Sequence, residues 1–520
     1  MRDIIQQSAE QYGDKTFLNF YDEKYSFREI RDLSNQIANG LIQLGVKKGD
    51  HVCIMMDNRP NYILSWFALN TMGAVMVPVN VFLKGEGLTY IIDHCDAETI
   101  IVGQQVWSTL NDIRPELKKL KRIIIDRGEE GDRFEMPTKT IDFSEIITDD
   151  KTQPKVTLSE NDIGRILYTS GTTGVPKGVL IKMGPRKDRQ GLGNWYKPED
   201  IIYTCLPLFH GNAQNLSTIP ALNSGASLAL GRRFSASRFW DEARQYNANW
   251  TSFLGTMISI LHSQPEKPED KEQPIRTVVA AATPKEIWKE FEDRFNLKII
   301  EGYGSADGVG GMLNVDGRVG SIGKPLPSCE AKVVDDEGNE VGPDNVGELL
   351  LRPKDPELRK LKTFVHYYKN EDATLNKTED GWVKSGDYVF YDSEGYFYFA
   401  DRKNDFMRRR GENISSWEVE NIINKHPDVL ESAVFGVKSG LGEDDVMAIV
   451  VTHSTKELEP LDVVKWCEKR MAYFMVPRYI EFMDELPKTG THRVKKVELK
   501  NRGVTDNTWD LENSGHKVKR

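Results

Sequence analysis

The chain has 520 residues, 39% of them hydrophobic and 28% charged, which excludes a disordered chain, a collagen and a coiled coil. At roughly 150 residues per domain the length predicts about three to four units, or two if one is a large α/β domain. Lys and Arg total 69 against 79 Asp and Glu, and this net charge of −10 argues against nucleic acid or an anionic membrane as a partner.

The start, MRDIIQQSAEQYGDK, carries an acid by position 3 and no long apolar run, so it does not read as a secretory signal. Tyr25 to Leu44 predicts the start and body of an amphipathic helix, and His51 to Met55 a strand. No charge occurs between Arg59 and Lys84. That stretch is long enough for a membrane span, but Asn61, Asn70, Gly73, Pro78 and Asn80 interrupt it. It predicts instead a helix from Asn61 to Thr71, a stop at Gly73 and a buried strand from Ala74 to Val77. Thr99 to Val102 and Arg122 to Ile125 are two further strands in an α/β alternation. From Gly317 to Phe399 the texture becomes short strands and turns, such as Glu330 to Val334 and Gly347 to Arg352, predicting a small β subdomain. A new α/β segment follows. Trp417 to Asn424 and Leu461 to Arg470 read as helices, and Ser432 to Val437 and Val446 to Val451 as strands. The boundary falls in Asp401 to Asp405, and the polar last dozen residues read as a loose tail. Cys53, Cys95, Cys205, Cys329 and Cys467 are far apart and lack CxxC spacing. Free thiols in a reducing cytoplasm are the simplest reading, and no zinc site is expected.

The strongest signal is Ile166-Leu-Tyr-Thr-Ser-Gly-Thr-Thr-Gly-Val-Pro-Lys-Gly-Val-Leu180, a strand, a hydroxyl- and glycine-rich loop and a second strand. Gly171, Gly174 and Gly178 let backbone N–H groups approach an anion. Thr169, Ser170, Thr172 and Thr173 add hydroxyl donors, and Lys177 a cation. The composition suits polyphosphate. It is not a Walker A loop, because Lys177 follows Pro176 and no Ser or Thr comes next.

This loop resembles the phosphate-binding signature of the adenylate-forming superfamily, which includes acyl-CoA synthetases, peptide-synthetase adenylation domains and firefly-type luciferases. The resemblance extends from about residue 26 to about 500, with blocks in family order. It implies an α/β fold: a large N-terminal domain over 1–401 with a β subdomain at about 317–400, a hinge at 402–405 and a mobile α+β lid over 406–520. It also implies two steps: a carboxylate attacks the ATP α-phosphate, releasing pyrophosphate, and a thiol, usually of coenzyme A, then displaces AMP.

The resemblance assigns roles to further blocks. Leu206-Pro-Leu-Phe-His-Gly211 places His210 near the carboxylate or at the mouth of the acyl pocket. Ala280-Ala-Ala-Thr-Pro284 stands where relatives have Gly-Gly-Ala, so Ala281 and Ala282 line the adenine and acyl wall and narrow it. In Glu301-Gly-Tyr-Gly-Ser-Ala-Asp307, Tyr303 and Gly304 face adenine and Asp307 is the Mg²⁺ acid, in place of the usual Glu; Ala306 replaces the usual Thr. Ser385-Gly-Asp387 with Arg402 resembles the ribose-binding pair, and a carboxylate can accept from vicinal hydroxyls. Asn404 takes the hinge position. In Arg408-Arg-Arg-Gly-Glu-Asn-Ile-Ser415, Gly411 lets a pantetheine arm pass, and the arginines read either as CoA-phosphate partners or as a basic solvated turn.

The closing motif departs from the family. Relatives have a PKTxxGKxxK-like segment, whereas this chain has Pro487-Lys-Thr-Gly-Thr-His-Arg-Val-Lys-Lys496, which puts His492 at the Gly and Arg493 at the catalytic Lys. Arginine keeps the charge in a planar, bulkier group. Three readings stand: Arg493 works, Lys495 or Lys496 works, or adenylation is weak. Arg493 stabilising charge on the attacked phosphate is preferred.

Arg409 to Ser415 and Met471-Ala-Tyr-Phe-Met-Val-Pro-Arg478 look most like crotonobetaine/carnitine–CoA ligases and similar acyl-CoA synthetases. The expectation is an ATP-, Mg²⁺- and coenzyme A-dependent ligase of a small carboxylic acid. The alternatives are an enzyme loading a separate carrier protein and a weakened nucleotide-binding relative. A trimethylammonium acid would want an aromatic cage, for which Trp240, Trp250 and Phe253 are placed by position, though each reads first as core. Nothing in the sequence sets the oligomeric state.

Overall fold

The computed structural model describes residues 1–128, 134–169, 175–184, 195–335, 337–359, 365–402, 406–440, 442–453, 458–487 and 494–519. The chain divides into two compact units. The first comprises 1–81, 91–169 and 178–401; the second comprises 402–520 with 82–90 and 170–177.

Two mainly parallel sheets organise the first unit. Among the described residues one has the order Ile141–Asp142, Arg122–Asp126, Thr99–Gly103, His51–Met55, Val75–Pro78, Ile163–Thr169 and Lys177–Lys182. Its strands are continuous apolar runs, as strands covered on both faces must be: Val52 to Met55 and Ile100 to Val102 are wholly buried. The helix Phe27–Gln43 starts where Ser26 and Glu29 form a capping box, Glu29 N–H donating to Ser26 Oγ at 3.2 Å and Ser26 N–H to Glu29 Oε2 at 2.8 Å. It buries Phe27, Ile30, Ile37 and Leu41 along one stripe.

The uncharged stretch resolves as helix, stop and core strand. The helix Pro60–Met72 is buried at every position but Asn61, so its apolar surface faces protein all round. It ends at Gly73, whose φ of 82° is left-handed, and Val75–Pro78 follows in the sheet. No helix among the described residues is long and apolar enough to cross a membrane.

The second sheet has the order Lys324–Pro325, Met312–Asn314, Lys298–Tyr303, Thr277–Ala281, Trp250–Leu254, Ile201–Thr204, Ser227–Leu230, Thr16–Phe20 and Glu23–Ser26. It is parallel from Lys298–Tyr303 across to Thr16–Phe20 and antiparallel at both edges. The parallel strands therefore deliver their carboxyl ends to one edge, where open α/β sheets place ligands. A third, antiparallel sheet joins Cys329–Val334, Gly347–Pro353, Trp382–Tyr391, Thr378–Glu379 and Phe397–Arg402. Its apolar residues Val333, Leu349, Val383 and Val389 share one core with Leu167, Val179 and Ile181, which flank the phosphate-loop segment, and with Val309 and Met312. That shared core fixes the loop stem, the turn after Tyr303 and the Asp387 strand against each other.

In the second unit, Val429–Lys438, Asp444–Thr452, Tyr479–Phe482 and Trp509–Asp510 form a sheet, with the hairpin Phe406–Arg409 and Glu412–Ser415 beside it. Met407, Ile414, Val419, Ile423, Val434 and Val464 pack into its core. The expected loose tail is instead tied down. Ile480 pairs with Trp509 in the sheet, Leu511 is buried, and Arg478 donates to Asp510 Oδ1 and Oδ2 at 3.1 Å. Two charged hydrogen bonds and one buried leucine anchor a polar segment that has no apolar run of its own.

Candidate active site

The site begins with strand register. Leu254 lies opposite Ala281, and Ala280 opposite Glu301, so the ends of three parallel strands bring Gly255, Ala281, Ala282 and Tyr303 to one edge. Just past its strand, Ala282 adopts φ 61°, a left-handed backbone unusual for a residue with a Cβ. Its carbonyl oxygen lies so close to Gly255 that a Cβ there would come within 1.9 Å. Thr283 completes the turn. Its N–H lies 3.3 Å from both oxygens of Glu301, and its hydroxyl donates to Glu301 Oε2. Glu301, only 3% exposed, is a clamp on the Ala281–Thr283 wall, a role that its motif does not announce. The one signal in the sequence is an acid directly preceding Gly302-Tyr303-Gly304.

Tyr303 ends the strand Lys298–Tyr303, and its hydroxyl donates to Asp387 Oδ2 at 2.6 Å. Asp387 sits on the long strand Trp382–Tyr391 directly after Gly386, whose φ is 80°. The Asp387 N–H donates to Ser385 Oγ at 3.0 Å, and the Gly386 N–H to Glu348 Oε1 at 3.2 Å. Ser385-Gly-Asp387 is thus a braced turn that holds the carboxylate beside the aromatic ring. Gly304, Ser305, Val309, Leu351 and Val383 line a cleft of about 240 Å³, counting its open mouth, next to Tyr303.

Asp307 follows in the same turn. Its Oδ2 accepts from the Tyr367 hydroxyl at 2.7 Å and lies 3.1 Å from Lys377 Nζ. Burial by itself would raise this carboxyl's pKa, but the Lys377 charge and the hydrogen bonds from Tyr367, Lys377 and Ser305 hold it below its usual value. A directly bound Mg²⁺ needs a carboxylate oxygen at about 2.0–2.1 Å. Oδ2 already holds an ammonium and a hydroxyl, so a direct Asp307–Mg²⁺ bond through that oxygen would have to displace them. Tyr367 and Lys377 lie outside the sequence motifs described above. Tyr367 is held by an antiparallel bridge to Val179, and Tyr368 N–H donates to Gly178 O at 2.7 Å.

Thr169 ends the strand Ile163–Thr169, and Lys177 opens Lys177–Lys182; both are half-buried. Ser170, Gly171, Thr172, Thr173, Gly174, Asn404 and Arg493 lie outside the described residues, as does the Arg402 side chain. The His210 ring sits edge-on to Phe209 with centroids 4.7 Å apart, just before a π-helical turn, Ala213–Thr218. Such turns occur often at functional sites. Phe253 is fully buried between Phe239 and Phe291, Trp240 stacks on Phe295 at 4.5 Å, and Trp250 meets Tyr196 edge-on. Phe253 is core, whereas Trp240 and Trp250 are half-buried and packed against other rings.

In the second unit Gly411 has φ 80°, and its N–H donates to Glu443 Oε1 at 3.2 Å. Arg409 is buried, pairs with Asp445 at 3.0 Å and donates to Val476 O at 2.7 Å. It is structural and not part of a solvated turn, whereas Arg410 is exposed beside Tyr473. Lys495 Nζ donates to Glu498 at 2.8 Å, and Lys496 pairs with Glu420 at 2.7 Å and donates to Ser416 Oγ at 2.8 Å.

The AMP-binding enzyme family matches residues 5–355, and the AMP-binding enzyme C-terminal domain matches 418–493. The chain belongs to the AMP-binding enzyme family. A crotonobetaine/carnitine–CoA ligase of Salmonella agona is 30% identical over 96% of this chain and 98% of that protein. An anthranilate CoA ligase in complex with anthranoyl-AMP is 27% identical with a TM-score of 0.71, covering 96% of each chain. A double mutant of the o-succinylbenzoate CoA synthetase of Bacillus subtilis superposes with a TM-score of 0.77 at 23% identity, covering 97% of this chain and 99% of that one, and so shows the shared fold. As a member of this AMP-binding family, with CoA ligases among its relatives, the chain is an acid–thiol ligase.

Proposed function

We propose that the protein is an ATP-dependent acid–CoA ligase that activates a small carboxylic acid as its acyl-adenylate and then forms the CoA thioester, releasing pyrophosphate and AMP. The observation that carries this reading is the Tyr303–Asp387 pair, an aromatic face joined to a braced carboxylate at the carboxyl ends of parallel strands. The ring offers a stacking surface for adenine. A carboxylate has room for about four hydrogen bonds, so accepting from Tyr303 leaves Asp387 able to take ribose hydroxyls. Ala281, Ala282 and Gly304 line the nucleotide wall, and Arg402 is assigned to the ribose by its motif alone. Thr169 to Gly174 and Lys177 grip the phosphates, and His210 lies by the acid's carboxylate.

Arg493 is our choice for stabilising the charge that develops on the attacked phosphate. Its support is the retained charge at the aligned position and the engagement of Lys496, which is held by Glu420 in a largely buried pair, whereas Lys495 has only an exposed pair with Glu498. The proposed hinge at 402–405 draws support from the division of the chain between Asp401 and Arg402, and Gly411 is the proposed passage for pantetheine. Mg²⁺ enters as the companion of ATP, with Asp307 as its proposed acid, directly or through water. The buried free cysteines fit a reducing cytoplasm as the location. The acid is left at its class. Although the Salmonella relative is named for a betaine, Phe253 is spent in the core and Trp240 is stacked on Phe295, which leaves neither as a ready cage wall for a trimethylammonium group.

Incubation with ATP, Mg²⁺, CoA and short-, medium-, long-chain, aryl and betaine acids should release AMP with at least one acid. No AMP from the whole panel, and none with a phosphopantetheinylated carrier in place of CoA, sinks the reading. Pyrophosphate exchange should fall in Arg493→Ala; a loss confined to Lys495→Ala would move the role to Lys495.

A further inference from the structure

We propose that Lys377 is a built-in rival of the nucleotide's divalent cation for Asp307, so that Lys377 sets how tightly this enzyme holds that metal. The inference rests on the reading that the site binds ATP.

The pair is specific and shielded. Lys377 is the last residue of the helix Glu371–Lys377, which starts at Asn370, whose side chain accepts from Ala373 N–H at 2.9 Å. The side chains of Lys377 and Asp307 are only 14% and 21% exposed, so water screens their attraction weakly. Tyr367, 7% exposed, donates to the same oxygen, and its bridge to Val179 fixes the carboxylate beside the strand that leaves the phosphate-loop segment. A buried carboxylate with a lysine at 3.1 Å has its charge compensated before any metal arrives.

A divalent cation can then meet Asp307 in two ways. Direct coordination through Oδ2 requires the ammonium to withdraw, which leaves Lys377 without this partner in a weakly hydrated place. With Lys377 in position, the cation keeps its waters and the phosphates as ligands, and feels a neighbouring positive charge. Either route makes the metal bind more weakly than it would to an unpaired Asp307.

Titrating Mn²⁺ into enzyme saturated with a non-hydrolysable ATP analogue, read by electron paramagnetic resonance, tests the proposal without turnover. Lys377→Met should tighten Mn²⁺ on the order of tenfold, a modest fraction of a shielded charge–charge interaction. Lys377→Arg, which keeps the charge, should stay near the wild type. Adding Asp307→Asn to Lys377→Met should erase the gain. If Lys377→Met does not fold, as judged by circular dichroism, Lys377→Gln takes its place. Nucleotide binding with unchanged or weaker Mn²⁺ affinity in the charge-removed variant overturns the proposal and leaves the pair a structural one. A wild type that binds no nucleotide overturns the functional reading itself.

Discussion

The hydroxyl of Tyr303 donates to Asp387 Oδ2 at 2.6 Å, joining the end of the parallel strand Lys298–Tyr303 to the strand Trp382–Tyr391 of the third sheet. Tyr303→Phe keeps the ring and removes the donor. It should cost about 1.5–3 kcal/mol of stability, the usual value of a hydrogen bond to a charged group, while AMP affinity changes little. Asp387→Ala should weaken AMP at least about tenfold by removing the ribose acceptor. Calorimetric AMP titrations and urea melts separate the two effects. Equal loss of AMP affinity in both variants would show that the tyrosine hydroxyl, and not the carboxylate alone, holds the nucleotide.

Gly255 is required by its neighbour. A Cβ at this position would lie 1.9 Å from the Ala282 carbonyl oxygen, which is backbone and cannot rotate away. Gly255→Ala should destabilise the first unit by about 1–3 kcal/mol or more and displace the Ala281–Thr283 wall. The displacement should appear as a raised KM for ATP in pyrophosphate exchange. An unchanged melt and KM would mean that the wall gives way freely, against the grip of Glu301 on Thr283.

The uncharged segment after Arg59 was legible as helix, stop and strand because asparagines and a glycine punctuate it. The strands at 51–55, 99–103 and 122–126 were legible as β-branched apolar runs. The site's contiguous motifs were legible for the same reason, since Tyr303 and Asp387 each sit in a short block of fixed chemistry. What escaped were partners brought together by register and by the third sheet. Lys377 lies 70 positions from Asp307, and Tyr367 60 positions from it, in segments with no motif of their own. Glu301 escaped differently, because its contacts run to a neighbouring strand's turn. The order of the tail was not legible, because its anchors are Arg478 and the sheet edge, which composition does not reveal.

The arginine run divides by burial. Arg409 pairs with Asp445 Oδ1 and Arg478 Nη1 with Oδ2, each at 3.0 Å, so removing Arg409 empties one side of a buried carboxylate that keeps its second cation. Arg409→Ala should cost about 1.5–3 kcal/mol of the second unit's stability, whereas Arg410→Ala should cost under about 1 kcal/mol. If Arg410 meets a CoA phosphate, its loss should raise the KM for CoA and leave pyrophosphate exchange intact. Thermal melts and CoA kinetics on both variants check this. An Arg409→Ala protein as stable as the wild type would refute the buried-pair assignment.

Glu418, in the first turn of the helix Ser416–Ile423, carries a carboxyl that burial pushes up to about 7 from an ordinary 4.5. Between those values the folded chain holds a proton that the unfolded chain has released. The contribution of Glu418 to folding stability therefore falls as pH rises from about 4.5 to about 7, and the full penalty persists above that window. The penalty amounts to about 3 kcal/mol at most, since each tenfold change in proton affinity is worth about 1.4 kcal/mol. Glu418→Gln keeps the shape and never ionises. Urea denaturation of the second unit should find this variant close to the wild type at pH 5 and more stable at pH 8. A difference that is the same at both pH values would mean that the Glu418 carboxyl ionises in the folded protein as readily as in the unfolded chain.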